Sequence, residues 1–114
     1  MPQSTTNKVT NEIIEFLLRN KIFAWRSNST GVFDTNRGIY RPSPKTGVPD
    51  IIAILPPDGT FLGIEIKTGK DRLRPAQEAF HATVRQMGGY VVTASCLDQF
   101  QGHLKMVMDN IMLR

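Results

Sequence analysis

Asp50, Glu65 and Lys67 combine the side-chain types and the spacing needed for shared chemistry. Asp50 opens the apolar run Ile51-Ile52-Ala53-Ile54-Leu55, and Glu65-Ile66-Lys67 closes a second run that begins at Thr60. Between them lies Pro56-Pro57-Asp58-Gly59. Proline presets φ and glycine accepts a left-handed turn position, so the two runs read as an antiparallel hairpin. With those four residues as the loop, Leu55 pairs with Thr60, and counting outward sets Asp50 opposite Glu65. Opposed residues share a face of a sheet, as do residues two apart on one strand. Asp50, Glu65 and Lys67 therefore converge, while Leu62, Ile64 and Ile66 turn towards a core. A slip of one residue in the turn would reverse this arrangement.

Two carboxylates held together repel each other unless a cation sits between them. Hard oxygen donors without a nearby His or Cys cluster suit Mg²⁺ or Mn²⁺ rather than Zn²⁺. An ion held by Asp50 and Glu65 would polarise a phosphoryl oxygen and acidify water. The Lys67 ammonium would hold that water or stabilise charge developing on the phosphate. The plain alternative is a Glu65–Lys67 ion pair on a solvated strand, because Glu-x-Lys is short enough to recur by chance. Its position after a Pro-Asp strand start and a tight turn favours the site.

The flanking elements must position these groups. Ile13, Ile14, Leu17 and Leu18 recur at helical spacing and predict a first helix over residues 9–20. Glu12 lies beside that apolar face, with Glu15 one turn further on. Residues 22–27 predict a strand that places Trp25 in the core and Arg26 on the opposite face, broken by Asn28-Ser29-Thr30-Gly31. Val32 with Phe33, and residues 38–41, are short strand candidates. Residues 41–47 form a polar loop, the expected mobile segment. After the hairpin, Pro75 fits the first turn of a helix, which Gly88-Gly89 ends. Ala76, Ala79, Phe80, Val84 and Met87 predict its buried face. Gln77 lies in the first turn, where it can point back towards Lys67, and His81 reads as a surface or boundary residue. Residues 90–94 predict a strand parallel to the Glu65 strand. A last helix follows from about Leu97 to Met112, with Ser95 as a candidate cap and several methionines.

A chain of 114 residues reads as one domain, 1–114, with residues 1–6 frayed. Its hydrophobic fraction of 40% and charged fraction of 21% are ordinary for a globular protein. No apolar run approaches a membrane span and the first residues lack a signal-peptide core, so the expectation is a cytoplasmic protein without a membrane partner. The single Cys96 fits a reducing compartment and lacks a partner that would mark it as a nucleophile. Net charge is +4, which permits a polyanionic partner. Arg37, Arg41 and Lys45 precede Asp50, and Lys70, Arg72 and Arg74 follow Lys67. Both groups flank the proposed site and are candidate phosphate contacts, as is Arg26; a solvated face is the alternative.

The order Glu12, Gly47-Val48-Pro49-Asp50, Glu65-Ile66-Lys67, Gln77 resembles the PD-(D/E)xK nuclease superfamily. Within it, the chain resembles the VRR-NUC family of virus-type replication and repair nucleases. Trp25-Arg26-Ser27-Asn28 before a glycine, Gly69 after Glu-x-Lys, and Gly88-Gly89-Tyr90-Val91-Val92 also match, so that the resemblance spans about residues 9–95. It implies an α/β fold with a restriction-endonuclease-like core, a mixed β-sheet flanked by helices. It also implies Mg²⁺- or Mn²⁺-dependent hydrolysis of DNA phosphodiesters, on branched or duplex DNA, with Holliday-junction cleavage the activity of small free-standing members. Asp50, Glu65, the backbone carbonyl of Ile66 and a first-helix glutamate would hold the metal. Glu12 is the best match for that glutamate, with Glu15 the alternative. Lys67 would orient the attacking water and Gln77 would support that lysine or the substrate phosphate. Two symmetric cuts imply a homodimer, with residues 106–113 and then 32–40 as candidate surfaces. The rival expectations are a DNA-binding module of the same fold without catalysis, and a sequence-specific restriction-type endonuclease.

Overall fold

The computed structural model describes residues 5–27, 32–41 and 47–113. Its elements run α1 (Thr5–Arg19), β1 (Phe23–Arg26), β2 (Val32–Asp34), β3 (Ile39–Arg41), β4 (Ile51–Leu55), β5 (Thr60–Ile66), α2 (Pro75–Gln86), β6 (Tyr90–Ala94) and α3 (Leu97–Met112). Four strands form a mixed sheet in the order β1-β4-β5-β6, and β2 and β3 pair separately as an antiparallel ribbon.

The central hairpin has the register that its turn requires. Leu55 pairs with Thr60 and Ile51 with Ile64. Gly59 takes φ +78° and donates its N–H to the Leu55 carbonyl at 2.9 Å, while Thr60 Oγ1 donates to Asp58 Oδ1. β1 adds to β4 antiparallel, with Trp25 opposite Ile52. β6 adds to β5 parallel, with Thr93 opposite Glu65, and α2 is the crossover that a parallel pair needs.

Alternation then divides the sheet. Ile51, Ala53, Leu55, Leu62, Ile64 and Ile66 are buried on one face, against Val9, Ile13 and Leu17 of α1 and Phe100, Leu104, Val107 and Ile111 of α3. Phe16 and Phe100 meet edge to face, joining the two helices. α2 covers the opposite face, the one that carries Glu65. The α/β architecture is thus a mixed sheet with helices on both sides.

Several local expectations are corrected. α1 begins at Thr5, so Thr5 and Thr6 are helical rather than frayed. Thr6 Oγ1 shares a hydrogen bond with Thr68 Oγ1 at 3.1 Å and ties the first turn to the end of β5. Trp25 is not in the core: 40% of its surface is exposed, and it packs on Phe23 at 5.2 Å between ring centroids. No described helix overlies that part of the face. The residue at the N-cap of α3 is Cys96, which is exposed, and Ser95 instead donates its backbone N–H and its hydroxyl to Gln99 Oε1. Residues 42–46, most of the expected mobile loop, lie outside the described residues.

The largest correction concerns α2. Its buried residues are Gln77 and His81, not the apolar stripe. Ala76, Ala79, Phe80, Val84 and Met87 instead line a groove of about 700 Å³ shared with Phe61. The physical reason lies beneath the helix. A buried carboxylate must find polar partners, and the polar side of α2 brings Gln77 and His81 to Glu65.

Candidate active site

Glu65 sits on an interior strand and is 1% exposed. Its Oε1 accepts the Gln77 side-chain N–H at 3.0 Å, and its Oε2 lies 3.2 Å from His81 Nε2. Gln77 is anchored in turn, because its Oε1 accepts the Arg74 backbone N–H at 2.8 Å. Both ends of the Gln77 amide are therefore engaged, and it supports Glu65 rather than Lys67. His81 is 2% exposed, one helical turn beyond Gln77 on the same side of α2. Its expected surface or boundary position is overturned. The four-residue spacing shows that Gln77 and His81 share a face of the helix, but not that this face turns inward.

Asp50 enters just before β4. Continuing the observed register by one residue sets it opposite Glu65. The ladder stops there because the Asp50 side chain takes over, with Oδ2 accepting the Ile66 N–H at 2.7 Å. The Asp50 carbonyl accepts the Ser27 N–H at 2.8 Å, which fixes the backbone beside β1.

Two glycines let this strand entry fit between α2 and the sheet. Gly47 has φ +79°, and a Cβ there would lie 2.1 Å from the Ala76 carbonyl oxygen. A Cβ on Gly63 would lie 2.7 Å from Pro49 Cγ. The Gly-x-Pro-Asp element is thus a packing requirement as well as a source of the carboxylate.

The electrostatics follow from the burial. Desolvation pushes the Glu65 carboxyl from 4.5 up to about 8, helped by the Asp50 charge and a hydrogen bond with the Asp50 carboxyl; Lys67 and Arg74 pull it back. Burial likewise lowers the His81 imidazole below its ordinary value, assisted by the Arg85 and Lys67 charges. Lys67 is half-buried at the end of β5, where its N–H donates to the Ala94 carbonyl at 3.1 Å.

The donor set fits a small hard cation. Among the described residues, no three His, Cys, Asp or Glu side chains are grouped to cage a metal. Asp50 and Glu65 supply two carboxylates, and Mg²⁺ commonly takes one or two, leaving its other positions to water and phosphate. The first-helix glutamates are not gathered into that pair. Glu12 is half-buried on α1, whereas Glu15 is exposed and paired with Arg19.

The basic residues are more scattered. Arg26 lies on the opposite face of β1 from Trp25 and donates to Asn7 Oδ1 of α1. Lys70, Arg72 and Arg74 are exposed on the segment between β5 and α2, and the Arg74 charge acts on Glu65. Arg37 is exposed in the turn between β2 and β3, and Arg41 ends β3. Lys45 falls outside the described residues. Among the described residues, no helix is long and apolar enough to cross a membrane.

Comparison with known proteins adds to this geometry. A solved structure titled "VRR_NUC domain" superimposes with a TM-score of 0.69 at 17% identity, over 90% of this chain and 97% of that chain. A search of the curated proteins finds no match. The family model for the VRR-NUC domain matches residues 37–96, more than half of the chain. On that match the chain belongs to the VRR-NUC family, whose domains are of nuclease type and process DNA.

Proposed function

We propose that the chain is a divalent-metal-dependent endonuclease that hydrolyses DNA phosphodiester bonds, selects branched substrates such as four-way junctions, and acts as a homodimer. One observation carries the reading: Glu65, 1% exposed, is held beside Asp50 at the foot of a half-buried Lys67. A carboxyl raised to about 8 by burial and by a second carboxylate is costly to ionise unless a cation offsets it.

Asp50, Glu65 and the Ile66 carbonyl would hold Mg²⁺ or Mn²⁺, with water and the substrate phosphate in the remaining positions. Glu12, which is not grouped with them among the described residues, would join only through a further movement of α1. The metal supplies Lewis acidity towards a phosphoryl oxygen. Lys67 orients the attacking water and stabilises charge that develops on the phosphate. In the reaction, water oxygen bonds to phosphorus, the ester P–O bond breaks, and the leaving oxygen takes a proton. Gln77 contributes by fixing Glu65 Oε1. Lys70, Arg72 and Arg74 would contact the backbone phosphates beside the scissile one, and Arg26, Arg37, Arg41 and Lys45 are the further candidate phosphate contacts. The second copy brings the second site that a pair of symmetric cuts needs. Met106, Met112 and Leu113 support such a copy, because they are exposed on or beside α3 and add nothing to the core.

A DNA-binding module without catalysis would not need Asp50, Glu65 and Lys67 together. The test is incubation of the purified protein with labelled duplex, flap and four-way DNA, with and without Mn²⁺. Metal-dependent cutting with preference for the four-way substrate is expected. Binding without cutting in Mn²⁺ would favour the silent module.

A further inference from the structure

Among the described residues, His81 is the one buried titratable group that the proposed chemistry does not use. It occupies the second oxygen of Glu65: Oε1 takes the Gln77 N–H at 3.0 Å, and Oε2 meets His81 Nε2 at 3.2 Å. A carboxylate oxygen has two lone pairs, so each oxygen keeps one for another partner. The two partners stand four residues apart on one face of α2, a rigid element that clamps the carboxylate from one side. Gln77 is itself fixed through Arg74, and α2 is seated against Gly47. Glu65 is thereby held in one orientation, leaving its free lone pairs for the Asp50 side of the site.

We propose that His81 is a positioning residue for the metal: its Nε2–H donates to Glu65 Oε2 and fixes the carboxylate for divalent-cation binding. The inference rests on the metal reading of Asp50 and Glu65. Groups that hydrogen-bond to ligating carboxylates orient them, and losing one commonly costs about 10- to 100-fold in metal affinity. His81 differs from a core filler in one respect. A filler could be replaced by any side chain of similar volume, whereas this role needs a donor at the Nε2 position.

Mn²⁺ affinity of the DNA-free protein, read by electron paramagnetic resonance, separates the two. His81→Gln places an amide N–H near the Nε2 position; His81→Leu keeps volume without a donor. Mn²⁺ binding should fall roughly 10- to 100-fold in His81→Leu and stay close to wild type in His81→Gln. Wild-type affinity in a folded His81→Leu variant would overturn the assignment, as would equal losses in both variants. If the leucine variant does not fold, ¹⁵N spectra of the wild-type imidazole with Mg²⁺ decide instead. Nε2 should carry the proton, and an unprotonated Nε2 would overturn the role. Failure of the wild-type protein to bind Mn²⁺ would sink the metal reading and this inference together; binding that ignores His81 would sink this inference alone.

Discussion

The Asp50 carboxylate accepts the backbone N–H of Ile66 at 2.7 Å, taking the place of a ladder bond at the mouth of the hairpin. One side chain thus closes the strand pair and presents a carboxylate beside Glu65. Asn at position 50 can still accept that N–H but carries no charge. Asp50→Asn should therefore remain folded, with a melting temperature near wild type, and lose most Mn²⁺ binding. A calorimetric titration showing wild-type affinity would contradict the assignment of Asp50 as a ligand.

Lys67 and Glu65 should separate binding from chemistry. Lys67→Ala should retain Mn²⁺ binding, because an ammonium is not a ligand, and lose cleavage by on the order of 10²-fold or more. Single-turnover cleavage and metal titration on the same preparation check both halves.

The raised Glu65 carboxyl gives the metal-free protein a signed pH dependence. Its folded pKa of about 8 exceeds the ordinary 4.5, so between these values the folded state binds more protons than the unfolded chain. The group's contribution to stability is complete below 4.5 and is lost as pH rises through about 8. Thermal melts of metal-free protein should show this decline, and Glu65→Gln should flatten it. Added Mg²⁺ should stabilise the wild type more at the alkaline end, where the ligand is already ionised.

Two glycines test the seat of the Gly-x-Pro-Asp element. Gly47 and Gly69 have φ of +79° and +62°, but only Gly47 has backbone in the way of a Cβ. Gly69→Ala should cost about 1–2 kcal/mol for the left-handed conformation alone. Gly47→Ala should cost clearly more in urea titrations, because the Ala76 carbonyl cannot yield without moving α2.

Arg72 and Arg74 test the electrostatic reading of the exposed segment before α2. If each contacts a phosphate, replacing both by alanine should lower the slope of log affinity against log salt by roughly 0.9 per contact on duplex DNA. An unchanged slope in a fluorescence-anisotropy series would show them to be merely solvated.

The central strands, their register and the parallel β6 were legible because each follows from local signals. Pro56-Pro57-Asp58-Gly59 sets the turn, and alternation carries that register to Asp50 and Glu65. The polar seam under α2 was not. Periodicity favours the face with Phe80 and Val84, and the sequence alone does not reveal that Glu65 is buried beneath the other face. Once Glu65 is buried, its two oxygens need polar partners, and Gln77 and His81 turn inward to meet them. Trp25 misleads for a related reason. Its size predicts the core, but α2, the helix on its side of the sheet, packs on β6 rather than over β1, leaving Trp25 stacked on Phe23. Glu12 and Glu15 show a further limit: spacing places both on α1, and only the structure shows Glu15 committed to Arg19.

Cleavage of labelled four-way DNA by Glu65→Gln in saturating Mn²⁺ tests the central claim most directly. Gln keeps the size of the side chain and can still meet Gln77 and His81, but removes the charge that would hold the cation. The account predicts a folded protein that binds the junction and leaves it uncut, beside a wild type that cuts it only with metal. Cutting at the wild-type rate by Glu65→Gln would contradict it.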